Sequence, residues 1–133
     1  MTYVLDTNTL SYFIQEDSKV MSRFRSALQA GDSFVTSPVT YYEIMRGFKH
    51  KASPKKEKSF NYMCQLYPVG DMTFTVWIKA ADIYGATRQA GNPVDDTDIL
   101  IAAFCIVYNY TLVTNNTKHF QNIDGLNYEN WVT

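Results

Sequence analysis

Short apolar runs alternate along the chain with longer runs in which apolar residues recur at helical spacing. The short runs predict strands at 2–5, 33–36, 66–69 and 111–113, with a further edge strand within 126–132. The longer runs predict helices at 9–14, 20–28, 75–90 and 99–108, with two more that begin near 40 and 53. Because strands and helices alternate throughout, we expect an α/β fold with a parallel sheet covered by helices on both faces.

Several local signals set the boundaries of these elements. Thr40 is predicted to cap a helix, with Glu43 three residues later in a capping-box arrangement. Ser53 followed by Pro54 predicts the start of the next helix. Pro68 weakens the prediction of a strand at 66–69, because proline has no backbone N–H to donate to a sheet.

Length and composition indicate one globular domain covering residues 1–133. The longest apolar run, 99–108, is much shorter than the roughly 18 residues that a membrane-spanning helix needs. The N-terminal residues lack the basic start and apolar core of a secretion signal, so we expect a cytoplasmic protein. Cys64 and Cys105 lack the paired spacing of a zinc or redox site and are expected to be buried thiols.

The basic residues are unevenly distributed, although the net charge is only −1. Six of the twelve lie in one short stretch: Arg46, Lys49, Lys51, Lys55, Lys56 and Lys58. This stretch is either a surface that faces phosphate groups or a solvated pair of helices, and charge alone favours neither.

Three carboxylates, Asp6, Glu43 and Asp98, each stand where a strand-like run gives way to a helix-like run. The carboxyl ends of parallel strands share one edge of a sheet, so these side chains are predicted to meet there. Clustered carboxylates repel one another and need protons or a cation to offset that repulsion. Oxygen ligands without Cys or His favour Mg²⁺ or Mn²⁺, which indicates metal-assisted hydrolysis of a phosphodiester.

Each carboxylate also has a purely structural explanation. Asp6 could cap the first helix, and Glu43 could be a capping-box glutamate. Asp98 could be stabilised by the dipole of the helix that it begins, although Asp95 and Asp96 compete for that position. The joint pattern carries more weight than any one acid.

Four stretches of the chain resemble the PIN-domain ribonucleases, specifically the VapC-type toxins. They are VLDTNTLSYF at 4–13, SPVTYYEIMRG at 37–47, GNPVDDTDILIAA at 91–103 and TLVTNNTKHFQNIDGLNYENW at 111–131. The resemblance covers nearly the whole chain, and it implies a three-layer fold around a parallel sheet of about five strands.

The resemblance also implies roles for individual residues. Asp6, Glu43 and Asp98 fall on the acidic metal-site positions, with Glu43 acting directly or through water, and Asn116 stands where many members carry a fourth acid. Asn116 removes one anion and makes a second metal ion less certain. Asn8 and Thr114 match polar positions that orient ligands. Asp95, where similar sequences often have glycine, is either an outer acid or a helix cap.

The partners implied by the resemblance are an RNA, often transfer RNA or a ribosomal RNA loop, a VapB-like antitoxin and a second copy of the chain. On this interpretation, Arg46, Lys49, Lys51, Lys55 and Lys56 are candidate RNA contacts. An antitoxin would lie in an apolar groove, and about half of the aromatic residues near the first helices could line it, the rest being core. These residues are Tyr12, Phe13, Tyr41, Tyr42, Phe48, Phe60 and Tyr62.

Two other interpretations stay open. The segment from Asp6 to Leu10 resembles the nucleophile loop of haloacid-dehalogenase-like phosphatases, but Asn8 stands where those enzymes need a second Asp. Alternatively, the Asn116 departure leaves a PIN-like module that binds RNA or protein without cleaving it. His50 and His119 show no partner pattern for catalysis and are predicted to be surface or packing residues.

Overall fold

The computed structural model describes all 133 residues and contains four strands and seven helices. The strands are β1 (Thr2–Leu5), β2 (Ser33–Phe34), β3 (Thr111–Val113) and β4 (Asn127–Glu129). The helices are α1 (Thr7–Ile14), α2 (Ser18–Gln29), α3 (Pro38–His50), α4 (Pro54–Leu66), α5 (Phe74–Gln89), α6 (Asp96–Tyr108) and α7 (Thr117–Phe120). No helix combines the length and the hydrophobicity that spanning a lipid bilayer requires.

All strand pairs in the sheet are parallel, in the order β2–β1–β3–β4. The carboxyl ends of β1 and β3 are tied together, because the N–H of Asp6 donates to the carbonyl of Val113 over 2.9 Å. The N–H of Thr114 in turn donates to the carbonyl of Glu129 over 2.9 Å. The residues that follow these strands therefore start from one edge of the sheet.

Alternate residues of the two central strands face opposite helical layers, as the two-residue period of a strand requires. Val4 and Leu112 belong to a core that includes residues of α5 and α6. Tyr3, Leu5 and Val113 belong to a second core, built with residues of α1, α2, α3 and α4. The predicted α/β fold, with its parallel sheet between two layers of helices, is confirmed.

The expected strand at 66–69 is reduced to a single parallel bridge between Thr36 and Val69, so the sheet has four strands rather than about five. Leu66 is the last residue of α4, and Pro68 has no N–H to extend the pairing. The Pro68 carbonyl still accepts a hydrogen bond of 3.1 Å from the N–H of Thr36. β2 is correspondingly shorter than predicted and ends at Phe34.

The predicted cap of α3 was wrong by one turn. The helix begins at Pro38, and the hydroxyl of Ser37 accepts from the N–H of Thr40 over 3.4 Å. Proline is pre-organised for the first helical position, so the helix starts before Thr40 can cap it. Glu43 therefore lies beyond the first turn, which removes its capping-box explanation.

Candidate functional site

Asp6 links the end of β1 to the start of α1. It is 5% exposed, and its Oδ1 atom accepts from the N–H of Thr9 over 2.8 Å. The structural explanation of Asp6 is therefore correct as far as it goes, because the residue is the N-cap of α1. Capping uses Oδ1 and leaves Oδ2 for another partner.

Asp98 lies in the first turn of α6, and its side chain meets a residue from α7. Its Oδ2 atom is 3.0 Å from Nδ1 of His119, with side-chain exposures of 21% and 52%. Burial raises the pKa of Asp98, His119 lowers it by charge and hydrogen bonding, and the charges of Asp95 and Asp6 raise it again. The net direction is upward, so the local environment disfavours the ionised form of Asp98.

Glu43 lies on α3 and is already compensated. Its Oε1 atom accepts a short hydrogen bond from the hydroxyl of Thr7, the residue after Asp6. Its Oε2 atom is 3.5 Å from a guanidinium nitrogen of Arg46, and that guanidinium lies 5.3 Å from the ring centre of Tyr42. The carboxylate is thus held between a hydroxyl donor and a cation.

The three predicted acids are brought to one edge of the sheet, but they do not converge on a single point. Asp6 is near enough to Asp98 for its charge to raise the pKa of Asp98, and Thr7 connects Asp6 to Glu43. No group of three or more His, Cys, Asp or Glu side chains is gathered closely enough to hold a metal ion. Glu43 and Asp98 instead face separate partners, Arg46 and His119.

The remaining predicted site residues surround this edge. Thr114 is fully buried, and its hydroxyl accepts from the N–H of Asn116 over 3.0 Å, which fixes the turn after β3. Asn116 is half-buried, and Asn8 is exposed on the first turn of α1. Asp95 occupies the N-cap position of α6, but its side chain makes no capping hydrogen bond. Asp95 is thus the N-cap of α6 by position and backbone, and its other predicted role, that of an outer acid, stays a prediction.

Two cavities open beside the acids. One, of about 370 Å³, is lined by Asp98, His119, Asp95 and polar side chains that include Lys118 and Asn122. The other, of about 450 Å³, lies between α1, α3 and α4. Its walls include Glu43, Thr7, Phe48, Lys51 and Lys56.

The basic stretch of the sequence divides into two sets in the structure. Lys51 and Lys56 line the cavity beside Glu43, and Arg46 pairs with Glu43 itself. Lys49 and Lys55 are exposed but line neither of the cavities beside the acids. Part of the stretch therefore faces the acidic site and part is a solvated surface.

The aromatic residues near the first helices also divide, as predicted. Phe60 is fully buried, whereas Tyr41, Tyr42 and Tyr62 are exposed. The others, Tyr12, Phe13 and Phe48, are half-buried. Of the two cysteines, Cys105 is buried as predicted and Cys64 is half-buried, and burial raises the pKa of both thiols.

Two residues at the site were missed from sequence. His119 was assigned to surface or packing, yet its ring nitrogen contacts Asp98. The available signal was its position three residues after Asn116, in the short helix that follows β3. Thr7 is not among the residues predicted for the site, although its hydroxyl donates to Glu43 across 36 positions of sequence, a contact that no local pattern encodes.

The parallel sheet lies between two helical layers and has carboxylates along the edge where its strands end. This arrangement defines an α/β protein with an acidic site. The PIN domain family matches residues 3–126, and the chain belongs to that family. The resemblance inferred from the four sequence stretches is thereby confirmed.

Individual relatives match the chain over almost its full length. It is 26% identical to Ribonuclease VapC1 of Haemophilus influenzae, across 98% of both chains. It is also 26% identical to the tRNA(fMet)-specific endonuclease VapC of Shigella flexneri, across 98% of both chains. Among solved structures, VapBC2 of Rickettsia felis, bound to a DNA fragment from its promoter, aligns with a TM-score of 0.90 at 25% identity, covering 98% of this chain and 99% of that one.

Proposed function

We propose that residues 1–133 form a single PIN domain that acts as a divalent-metal-dependent endoribonuclease and is the toxin of a toxin–antitoxin pair. The observation that carries this proposal is the position of two carboxylates at one edge of the sheet. Asp6 follows β1, and Asp98 lies in the first turn of α6, close enough for the charge of Asp6 to raise its pKa. Full-length similarity to relatives named as ribonucleases supports the same assignment.

The side chains at this edge fit Mg²⁺ or Mn²⁺. Their donors are carboxylate oxygens, and Asp98 is disfavoured in its ionised form, a penalty that a bound cation removes. Such an ion keeps several water ligands and needs only one or two carboxylates from the protein. The lack of a three-carboxylate cluster is therefore compatible with Asp6 and Asp98 as direct ligands and Glu43 acting through water.

The protein side chains have separate tasks in this proposal. Asp6 and Asp98 hold the ion, which supplies an activated water and charge stabilisation at the phosphate. Glu43, fixed by Thr7 and Arg46, orients water at the other side of the site. Asn116 contributes an amide in place of a fourth charge, and Asn8 and Thr114 orient ligands or substrate. The hydrogen bond that the Thr114 hydroxyl accepts from the N–H of Asn116 and the exposed position of Asn8 support these roles.

The substrate we propose is a structured RNA. The Shigella flexneri relative is named for its specificity for a transfer RNA, and the chain is similar to it over 98% of its length. To Lys51 and Lys56, which line the cavity beside Glu43, we assign contacts with backbone phosphates. Arg46, beside Glu43, and the exposed Lys49 and Lys55 are the further candidate contacts.

The partners we propose are a VapB-like antitoxin and a second copy of the chain. Tyr41, Tyr42 and Tyr62 are exposed on α3 and α4, two of the helices around the cavity of Glu43, and their side chains are suited to an antitoxin segment. Four of the exposed large apolar side chains lie together on α5, and we assign the contact between two copies to them: Phe74, Trp77, Ile78 and Tyr84. Light scattering of a Trp77→Lys variant is expected to report a monomer where the unchanged chain is a dimer.

The central test incubates the purified protein with transfer and ribosomal RNA in the presence of Mg²⁺, of Mn²⁺ and of a chelator. The proposal predicts discrete fragments with either ion and none with the chelator. Binding of RNA without cleavage under any of these conditions would favour the alternative, a PIN-like binding module weakened by Asn116. The observation that favours this alternative is that no three potential metal-binding side chains are grouped together in the structure.

A further inference from the structure

The cavity of about 370 Å³ beside Asp98 differs in character from the one beside Glu43. Its walls are the loop that joins α5 to α6 and the segment that begins with α7. Apart from Pro93 and Val94, every side chain in these walls is polar. The volume is in the range of small-ligand sites, and the walls suit a polar occupant better than an apolar one.

The charges around this cavity do not favour a phosphate group. Two acids, Asp95 and Asp98, share the walls with a single lysine, Lys118. The walls of the cavity beside Glu43 contain two lysines and no other acid. Backbone phosphates of an RNA are therefore attracted to the cavity of Glu43, whereas a neutral group such as a base is better suited to the cavity of Asp98.

Three polar side chains in these walls are free to bind a ligand. Asn92, Asp95 and Asn122 are exposed, and their side chains make no hydrogen bond or ion pair within the protein. The backbone that carries them is anchored, because the N–H of Asn92 donates to the carbonyl of Thr87 over 2.8 Å and Asn122 precedes the buried Ile123. An anchored backbone loses less conformational freedom when a ligand binds.

The cavity lies directly beside the proposed site of cleavage, because Asp98 belongs to both. The Oδ2 atom of Asp98 is 3.0 Å from Nδ1 of His119, and this contact holds the imidazole at the cavity wall. The side chain of His119 is about half exposed, and imidazole is one of the rings on which unpaired RNA bases stack. The walls therefore combine a ring face with free hydrogen-bonding groups.

We propose that this cavity binds an unpaired base of the RNA beside the cleaved bond and that Asp95, Asn92 and Asn122 recognise the edge of that base. A carboxylate only accepts hydrogen bonds, so Asp95 suits a base with an exocyclic amino group, and the amides can meet the other donors and acceptors. Adenine, cytosine and guanine carry such a group. Uracil has only one ring N–H, between two carbonyl oxygens, and is therefore disfavoured. This inference rests on the proposed function and adds to it a position at which the RNA sequence matters.

Two sets of substitutions test the two kinds of contact. Asp95→Asn removes the group that only accepts hydrogen bonds, and the double variant Asn92→Ala, Asn122→Ala removes both amides. The matched control is the double variant Asn61→Ala, Gln65→Ala, because these exposed amides of α4 line a cavity that contains none of the three predicted acids. Circular dichroism and thermal melting check that all variants fold.

The experiment measures recognition without cleavage. Each protein is mixed with a pool of stem–loop RNAs that have a randomised loop, in the presence of a chelator, and the bound RNAs are sequenced. The unchanged chain and the control should select against uracil at one loop position, on the order of 10-fold. Asp95→Asn should lose this selection, because its amide can also donate to the carbonyl oxygens of uracil. The variant without Asn92 and Asn122 should bind the pool more weakly and discriminate less among the other three bases.

Three results would overturn the inference. The unchanged chain could bind the pool without base preference or not at all, Asp95→Asn could keep the selection against uracil, or the loss of Asn92 and Asn122 could change no more than the control does. In each case the proposed function still stands if the unchanged chain cuts transfer or ribosomal RNA with Mg²⁺ or Mn²⁺. If the chain neither binds the pool nor cuts any RNA, the inference and the proposed function both fail.

Discussion

The two sides of the acidic edge differ in how their carboxylates are balanced. Glu43, on the α3 side, receives a hydroxyl hydrogen bond from Thr7 and lies beside the guanidinium of Arg46. Asp98, on the α6 side, has His119 as a partner, yet burial and the neighbouring charges of Asp95 and Asp6 still raise its pKa.

This difference indicates which of the two carboxylates a bound cation would stabilise more. A carboxylate that already has a permanent cation beside it gains less from a metal ion than one whose surroundings disfavour its charge. The α6 side, with Asp6 and Asp98, is therefore the proposed binding side, and the α3 side is the proposed orienting side.

Asp6→Asn is expected to have the largest effect on activity, a loss on the order of 10²–10³-fold in RNA cleavage. It removes the charge that acts on Asp98, while asparagine remains a good helix cap, so α1 should still form. Cleavage of RNA in the presence of Mn²⁺, together with the melting temperature, measures both outcomes.

Asp17→Asn is the matched control, because Asp17 caps α2 with hydrogen bonds of 3.1 Å to two backbone N–H groups and makes no contact with the other acids. Both variants should melt near the temperature of the unchanged chain, and only Asp6→Asn should lose activity. Equal activity in the two variants would remove Asp6 from the site.

The parts of the fold that could be predicted from the sequence are those that local sequence patterns determine. The apolar runs of β1 and β3 and the start of α4 at Ser53–Pro54 were confirmed, because burial periodicity and proline at the first helical position are local signals. The predicted strand at 66–69 does not form, because the sequence pattern does not reveal that α4 continues through Leu66.

The site was predictable only in part for the same reason. The position of Asp6 follows from the strand that precedes it and the helix that it caps. The contacts of Thr7 with Glu43 and of His119 with Asp98 join distant elements. The position of His119 shortly after β3 could indicate that it lies near the acidic edge, but spacing along the chain does not reveal the partner of either residue. The tertiary structure therefore determines which carboxylate has its charge compensated and which side chain compensates it.

Asp98→Asn and Glu43→Gln should differ in their effect on Mn²⁺ binding if the two sides of the acidic edge have different tasks. Asp98→Asn is expected to weaken Mn²⁺ binding and cleavage together. Glu43→Gln should reduce cleavage about 10-fold to 100-fold while Mn²⁺ affinity changes little, because Glu43 acts through water and keeps its neighbours Thr7 and Arg46.

Titration with Mn²⁺ alongside single-turnover cleavage separates binding from reaction in these two variants. An equal loss of Mn²⁺ affinity in both would contradict the division, because it would make Glu43 a direct ligand.

The lysines beside Glu43 should make a smaller contribution, to RNA binding rather than to cleavage. Replacing both Lys51 and Lys56 by alanine is expected to weaken RNA binding about 10-fold at moderate salt and to reduce the salt dependence by roughly one to two ion equivalents. The double variant of Lys49 and Lys55 is the control, since these residues line neither of the cavities beside the acids. Filter binding across a salt series measures both, and equal losses would mean that the whole stretch acts as a diffuse basic surface.

The smallest expected effect concerns the stability of the metal-free protein. Burial raises the pKa of Asp98 in the folded chain above its ordinary value, so the folded state holds this proton more tightly than the unfolded state. The stabilising contribution of the bound proton is present below the ordinary pKa and is lost as the pH rises through the raised one. At neutral pH, Asp98→Asn should therefore melt at a slightly higher temperature than the unchanged chain, and the gap should close as the pH falls through that window.

Asp96→Asn is the control for this measurement, because Asp96 is an exposed acid in the same first turn of α6. Its loss removes a favourable charge at the helix start, so that variant should melt no higher than the unchanged chain. Adding Mn²⁺ should raise the melting temperature of the unchanged chain, because a ligand that binds only the folded state stabilises it. With Mn²⁺ present, the unchanged chain should therefore melt at a higher temperature than Asp98→Asn. If Asp98→Asn melts lower than the unchanged chain without metal, the carboxylate of Asp98 is already compensated within the protein, and the contrast between the two sides of the site disappears.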